Sequence, residues 1–280
     1  AFGSENLAPI TDGLAADTFV PAVGQTITIS PVAVDPETGR SVFDHQTYDF
    51  GDGVIVRDIA GATTHSYATP GIYCVRCTLA DDQGLTAIAE DQVIVGATQI
   101  LKLPFKFRKY IPPEEAGSGE HESDTLATTF IGVGAKAGDR IVFVYNRNRF
   151  GRMHASDAGD DTDIILKPNG SFTGATRLAH AVSLHISGDK LAIRVSNASL
   201  DRTGDPRFGR ADIKGIFKQQ RIAVCIVPAD GSTPRVWAFT GNMQVKVKGG
   251  ATNQAYFCPE ESISGTTTDK EPDPRKQEVY

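Results

Sequence analysis

Cysteine is scarce in this chain, four residues in 280, and methionine and tryptophan are scarcer, at two and one. Four thiols over such a length exclude a disulfide-dense scaffold, in which bridges replace a sizeable core. Long apolar runs are missing as well. The longest, such as "RIVFVYN" and "RIAVCIV", are strand-sized and far short of the roughly 20 residues a membrane-spanning helix needs, so no membrane partner is expected. Charge of one sign is not concentrated along the sequence. The 34 acids and 28 bases give a formal net charge of −6, and no basic run stands out, which argues against nucleic acid as a partner. The opening "AFGSENLAPI" has neither the basic n-region nor the apolar h-region of a secretory signal, as expected of a leader already removed or of Ala1 following an excised initiator Met.

What the chain does have is period-two alternation. Apolar and polar residues alternate through "QTITISPVAV", "GIYCVRCTLA", "DQVIVG", "DRIVFVYN", "KLAIRVSN", "PRVWAF" and "MQVKVKGG", and Gly, Pro, Asn and Asp punctuate these runs at short intervals. No helical stripe of ten or more residues competes with them. The expectation is an all-β protein, and its length suits two hydrophobic cores better than one. Two stretches interrupt the pattern: residues 104–124, rich in Pro, Gly and charge, and residues 259–280, with almost nothing to bury. The predicted organisation is a first β-sandwich at 1–97, a linker or arm at 98–124, a second sandwich or jelly-roll-like domain at 125–258, and an extended tail at 259–280.

The first of these segments carries a recognisable motif set. "NLAPI" and "VGQTITISPVAVDPETG" precede "YDFGDG", and "HSYATPGIYCVRCTLADDQGLTAIAEDQVIV" completes the pattern. In "DFGDG" the glycines supply backbone angles that a Cβ resists, while Asp49 and Asp52 can accept hydrogen bonds from turn amides. Residues 6–96 resemble the PKD family of immunoglobulin-like modules, with Tyr48 standing where the family usually has Trp. The resemblance implies a β-sandwich. Some secreted bacterial members bind calcium at one end, and the matching positions here are Asn6, Asp35 and Asp81. All three lie near turns, and the first reading of Asp35 and Asp81 is as turn-capping carboxylates.

Cys74 and Cys77 form a CxxC pair, but they lie within a strand pattern rather than on a turn. Side chains alternate faces there, so Tyr73, Val75, Cys77 and Leu79 point one way and Cys74, Arg76 and Thr78 the other. Three residues along a strand separate the Cα atoms by roughly 10 Å, beyond the ~7 Å limit of a disulfide. The expectation is two free thiols, Cys77 inside and Cys74 outside. Cys225 and Cys258 stand singly, which leaves a zinc clip without its second pair. Free thiols lean toward folding in a reducing compartment.

Residues 125–258 resemble no family, though "AGDRIVFVYN" and "SGDKLAIRVSN" echo one another. The loop "RNRFGRMHASDAGDDTD" is the most polar part of this half, with Arg147, Arg149 and Arg152 before Asp157, Asp160, Asp161 and Asp163. It lacks the order of an EF-hand. Arginine beside an aromatic, in "RNRFGR" and "DPRFGR", is what contact surfaces favour, so Arg149, Phe150, Arg152, Arg207, Phe208 and Arg210 are the candidate interaction residues.

No HExxH, GxSxG or phosphate-loop spacing occurs, so no catalytic residue and no cofactor is assigned beyond the calcium alternative. The expected function is a non-enzymatic structural or interaction protein on the surface of a large assembly. A bacteriophage virion is the favoured setting, as a head decoration, tail or fibre-associated protein. Its partners would be neighbouring subunits such as a capsid or tail protein, or further copies of itself. The alternative is a secreted or cell-surface bacterial adhesin or carbohydrate-binding protein.

Overall fold

A computed structural model of the chain describes residues 6–41, 43–101, 103, 105–111, 124–154, 157, 162–177, 179–198, 216–248 and 253–259. Strands dominate, and no helix occurs among the described residues. The first seven strands are β1 (Ile10–Ala16), β2 (Thr26–Val34), β3 (Gln46–Asp49), β4 (Ile55–Ile59), β5 (Thr63–Ser66), β6 (Gly71–Ala80) and β7 (Thr86–Val95). They form two antiparallel sheets, ordered β1-β2-β5 and β4-β3-β6-β7. The sheets close on a core of Leu14, Ile27, Ile29, Tyr48, Phe50, Tyr67, Tyr73, Val75, Cys77 and Leu79, with Phe50 and Tyr67 coming from just beyond the ends of β3 and β5 and the rest from inward-facing strand positions.

The remaining strands are β8 (Ala97–Gln99), β9 (Phe105–Ile111), β10 (Asp124–Ile131), β11 (Arg140–Tyr145), β12 (Asn148–Phe150), β13 (Ser171–Thr176), β14 (Ala179–Ser187), β15 (Lys190–Ala198), β16 (Ile216–Val227), β17 (Arg235–Lys248) and β18 (Asn253–Pro259). All belong to one hydrogen-bonded sheet in the order β12-β11-β16-β17-β18-β9-β10-β15-β14-β13, with β8 pairing in parallel on β17. Its two ends share one core. Ile141, Phe143, Ile222, Val224 and Ile226 come from one end and Leu126, Phe130, Leu184, Leu191 and Ile193 from the other. The all-β expectation is therefore met.

The expected linker is in part a strand. Phe105–Ile111 pairs with β18 on one side and β10 on the other. Alternation in "FKFRKYI" carries that strand, and the prolines at 104, 112 and 113 that bracket it drew attention to the flanks instead. Of residues 259–280, expected as a tail, Pro259 ends β18 and residues 260–280 lie outside the described residues.

Candidate functional site at the domain junction

The feature of most consequence is where the two halves meet. On β6, Tyr73, Val75, Cys77 and Leu79 enter the first core, which turns Ile72 and Cys74 to the opposite face of the sheet. On β7 the same phase turns Ile94 and Gln92 that way. The second half does likewise: Val142 and Val144 on β11, Ala223 and Cys225 on β16, and Val236 and Ala238 on β17 face away from their own core. These residues, with Met153, Ile72 and Ile94, make a third apolar cluster that joins the domains. Each fully buried aliphatic side chain there is worth about 1.5–3 kcal/mol relative to exposure. Gly71 keeps the approach tight, since a Cβ on it would come within 2.8 Å of Met153 Cε.

One buried acid ties the rim of this junction. The side chain of Asp91 is 1% exposed. Its Oδ1 accepts from Arg221 Nη2 at 2.8 Å, and its Oδ2 accepts from Arg147 Nε at 3.2 Å. Arg221 Nη1 also donates to the Gln92 carbonyl at 3.1 Å, and its guanidinium lies 4.2 Å over the Phe19 ring. Arg147 Nη1 reaches Asp12 at 3.3 Å. Gly13 makes room for that guanidinium: at φ +81° it adopts the left-handed conformation, and a Cβ would sit 2.6 Å from Arg147 Cζ. Asn146 sets the pair, because its Oδ1 accepts from the Arg221 amide at 2.9 Å and its Nδ2 donates to Gln220 at 2.8 Å. Burial pushes the Asp91 carboxyl up, opposed by Arg221 and Arg147.

A second pair lies close by. Arg149 grips Asp157 with two hydrogen bonds of 2.8 and 2.7 Å, both side chains being almost wholly buried. Asp157 also accepts from the Met153 amide at 3.0 Å. Arg152 holds Asp163 through bonds of 3.0 and 2.7 Å, and Arg140 Nε lies 3.2 Å from the same carboxylate. The Arg152 hydrogen bond leads in holding the Asp163 carboxyl below its ordinary range, against partial burial and with help from Arg140.

These geometries correct the contact-surface reading. Phe150 is fully buried in the second core, stacked on Phe143 at 5.8 Å, and Arg149 is buried and paired, so neither is available to an outside partner. Arg152 is engaged with Asp163. Position opposite Val144 on β12 explains Arg149, which lies on the strand face turned to the first domain. Arg207, Phe208 and Arg210 lie outside the described residues, as do Asp160 and Asp161.

The thiols need one correction. Cys74, Cys77 and Cys225 are free and buried. Cys77 is inside as expected, but Cys74 is not outside, because the second domain covers its face of the sheet. Burial pushes Cys77 up to about 11 and Cys74 up to about 12, and Cys225 is raised further by burial alone. Such thiols are protonated and inert at neutral pH.

The "YDFGDG" turn is structural throughout. Asp49 accepts from the Gly51 amide at 2.9 Å, and Asp52 accepts from the Val54 amide at 3.1 Å while meeting His65 Nε2 at 2.8 Å. His65 stacks on Phe50 at 4.0 Å, and Tyr48 fills the core with its hydroxyl 2.6 Å from the Gly61 carbonyl. Of the calcium positions, Asn6 and Asp81 meet through a 3.1 Å hydrogen bond. Asp81 Oδ1 accepts the amides of Gln83 and Leu85, and Asp35 Oδ1 accepts those of Glu37 and Thr38, so both carboxylates cap their own turns. The Thr38 amide leads in holding Asp35 below its ordinary range. Among the described residues, no group of three or more His, Cys, Asp or Glu is arranged to hold a metal ion.

Sequence reasoning missed Asp91, Arg221 and Phe19. The signal was present in "RIVFVY" and "RIAVCIV", where both phases of the strand are apolar. A sheet with one face in water shows strict alternation, so a continuous run marks a strand buried on both sides.

With this geometry in hand, the comparisons place the first half. Residues 6–95 match the family model for the PKD domain, and that segment is a PKD domain. The chain is similar to the PKD1 domain of Vibrio anguillarum Epp, at 25% identity over 32% of this chain and 96% of that one, with a TM-score of 0.27. It is also similar to a structure described as carbohydrate-binding modules from the β-sandwich superfamily, at 13% identity over 91% of this chain and 98% of that one, with a TM-score of 0.31. No curated protein matches the sequence. At those scores neither structural likeness bears on function, and what stands is a PKD domain packed on a second β-domain.

Proposed function

We propose that the chain is a non-enzymatic structural protein, a stiff two-domain body that makes protein–protein contacts on the surface of a large assembly. The observation that carries this is the junction. Its third apolar cluster and the Asp91 clip fix the PKD domain on the second domain, so that the pair can transmit position rather than act as beads on a string. The charged groups of the described polar loop support the same reading. Arg149, Asp157, Arg152 and Asp163 are spent on each other, whereas a catalytic acid or base must present its titrating atom to a substrate. The setting we favour is a bacteriophage virion, with a capsid or tail protein as neighbour.

The test is quantitative mass spectrometry on gradient-purified particles from the producing culture. The proposal expects the chain in fixed stoichiometry with capsid or tail proteins. Recovery free in the medium or on the bacterial envelope, with retention on a glycan column, would sink it in favour of the adhesin alternative.

A further inference from the structure

The turn that leads the chain into β13 holds the one Asn-Gly step in the sequence, Asn169–Gly170. It is tightly drawn. The Gly170 amide donates to the Lys167 carbonyl at 2.8 Å, the Lys167 amide donates to the Ser171 carbonyl at 2.8 Å, and the Ile186 amide on β14 donates to the Gly170 carbonyl at 2.9 Å. Gly170 has φ +71°, a left-handed conformation that calls for glycine. Lys167, Pro168 and Asn169 are exposed, and β13 stands at one end of the strand order of its sheet.

The Asn169 side chain turns forward onto Ser171. Its Oδ1 accepts from the Ser171 amide at 3.1 Å and from the Ser171 Oγ hydroxyl at 2.7 Å. Both donors draw electrons from the amide carbon. Should that carbon be attacked, the negative charge gathers on Oδ1, where the two donors already point, which is the arrangement that stabilises a tetrahedral intermediate. The nearest nucleophile is the Gly170 nitrogen, and no side chain on residue 170 hinders its approach. Its hydrogen bond to Lys167 opposes the attack, but that bond lies in an exposed turn of the kind that opens locally at small cost.

We infer that Asn169 is a self-modification site, at which the chain converts its own asparagine to aspartate and isoaspartate. The Gly170 nitrogen bonds to Asn169 Cγ, its proton passes to water, and the side-chain nitrogen takes up a proton and leaves as ammonia. A succinimide ring results. Water then opens it at the side-chain carbonyl to give aspartate, or at the main-chain carbonyl to give isoaspartate, so the balance is one ammonia lost, one water gained and no redox change. Either product puts a new negative charge on the turn. Isoaspartate also inserts a methylene into the backbone just before β13, between partners that Lys167, Ser171 and Ile186 now hold in register. The modification rests on the chemistry of one turn and stands apart from the assembly reading.

Peptide mass spectrometry on the full folded chain, incubated in heavy-oxygen water at mildly alkaline pH, tests it. The peptide carrying residue 169 should lose ammonia and gain one heavy oxygen before any other asparagine in the chain reacts. Ser171→Ala should slow the conversion about two- to tenfold, the worth of one exposed hydrogen bond, and Ser171→Thr, which keeps the hydroxyl, should restore it. Amides of β13 should exchange faster in the incubated chain than in the fresh one. In Asn169→Gln, whose side chain is one methylene too long for the same ring, they should not. An Asn169 that stays intact, a Ser171→Ala chain that reacts at the wild-type rate or faster, or equal loosening of β13 in Asn169→Gln overturns the inference.

Discussion

Asp91 and Asp163 are each held by two arginines, and there the likeness stops. Asp91 is 1% exposed at the domain junction, between Arg147 and Arg221. Asp163 is 34% exposed on the second domain, between Arg152 and Arg140. Their carboxyls move in opposite directions: burial raises Asp91 in spite of its partners, and the Arg152 hydrogen bond lowers Asp163 in spite of its partial burial. The same three charges thus mean different things by depth. At the surface an arginine pair simply favours the anion. In the interior the cost of taking the anion from water outweighs the attraction, and what the cluster secures is the arrangement of the elements that carry it.

The largest effect should come from breaking the buried cluster on one side. Asp91→Ala leaves Arg147 and Arg221 at the junction without their shared carboxylate, and removal of one partner from a buried set costs about 3–5 kcal/mol. The charges lie at the rim of the cluster that joins the domains, so calorimetry should show more than a lowered midpoint. One transition in the wild type should become two, the second domain melting apart from the PKD domain. A single, unshifted transition would mean that the apolar cluster alone holds the halves together.

Removing the whole cluster should do less than removing its centre. Asp91→Leu with Arg147→Met and Arg221→Met takes away every charge that needs compensation, and apolar replacement of buried ion sets is often neutral or stabilising. Here Arg221 also serves the Gln92 carbonyl and Phe19, so the triple variant should fall within about 1–2 kcal/mol of wild type. Chemical denaturation measures this, and a triple variant worse than Asp91→Ala would refute the desolvation argument.

The same contrast between depth and pattern explains what the sequence disclosed. The PKD half was legible because its motifs are local: Gly51 needs φ +76°, and a Cβ there would come within 2.6 Å of the Cys74 carbonyl oxygen, so "DFGDG" is dictated within a few residues. The core phase of β6 was legible from alternation. The junction was not, because which face of β6 is wet depends on a domain some 70 residues further along the chain. Cys74 therefore read as outside, and Arg149 as a contact residue, from correct phases with the wrong neighbour assumed. Phe105–Ile111 was lost to its proline flanks.

The smallest effect belongs to the exposed cluster, and its sign with pH is the sharpest test of the comparison. Asp163→Asn should cost about 0–1 kcal/mol at neutral pH, the usual worth of an exposed pair. Because the folded carboxyl is lowered below its ordinary value of 3.8, its contribution is present above that pH and fades as pH falls through the folded value. The penalty of Asp163→Asn should therefore shrink on acidification. Asp91 must run the other way. Its folded carboxyl is raised, so the stability linked to its proton is fully present below 3.8 and lost as pH rises through the folded value. The penalty of Asp91→Asn should accordingly be greatest in acid and decline toward neutrality. Urea titrations of both variants between about pH 3 and about pH 7 give the two slopes, and slopes of the same sign would show that depth does not separate the clusters.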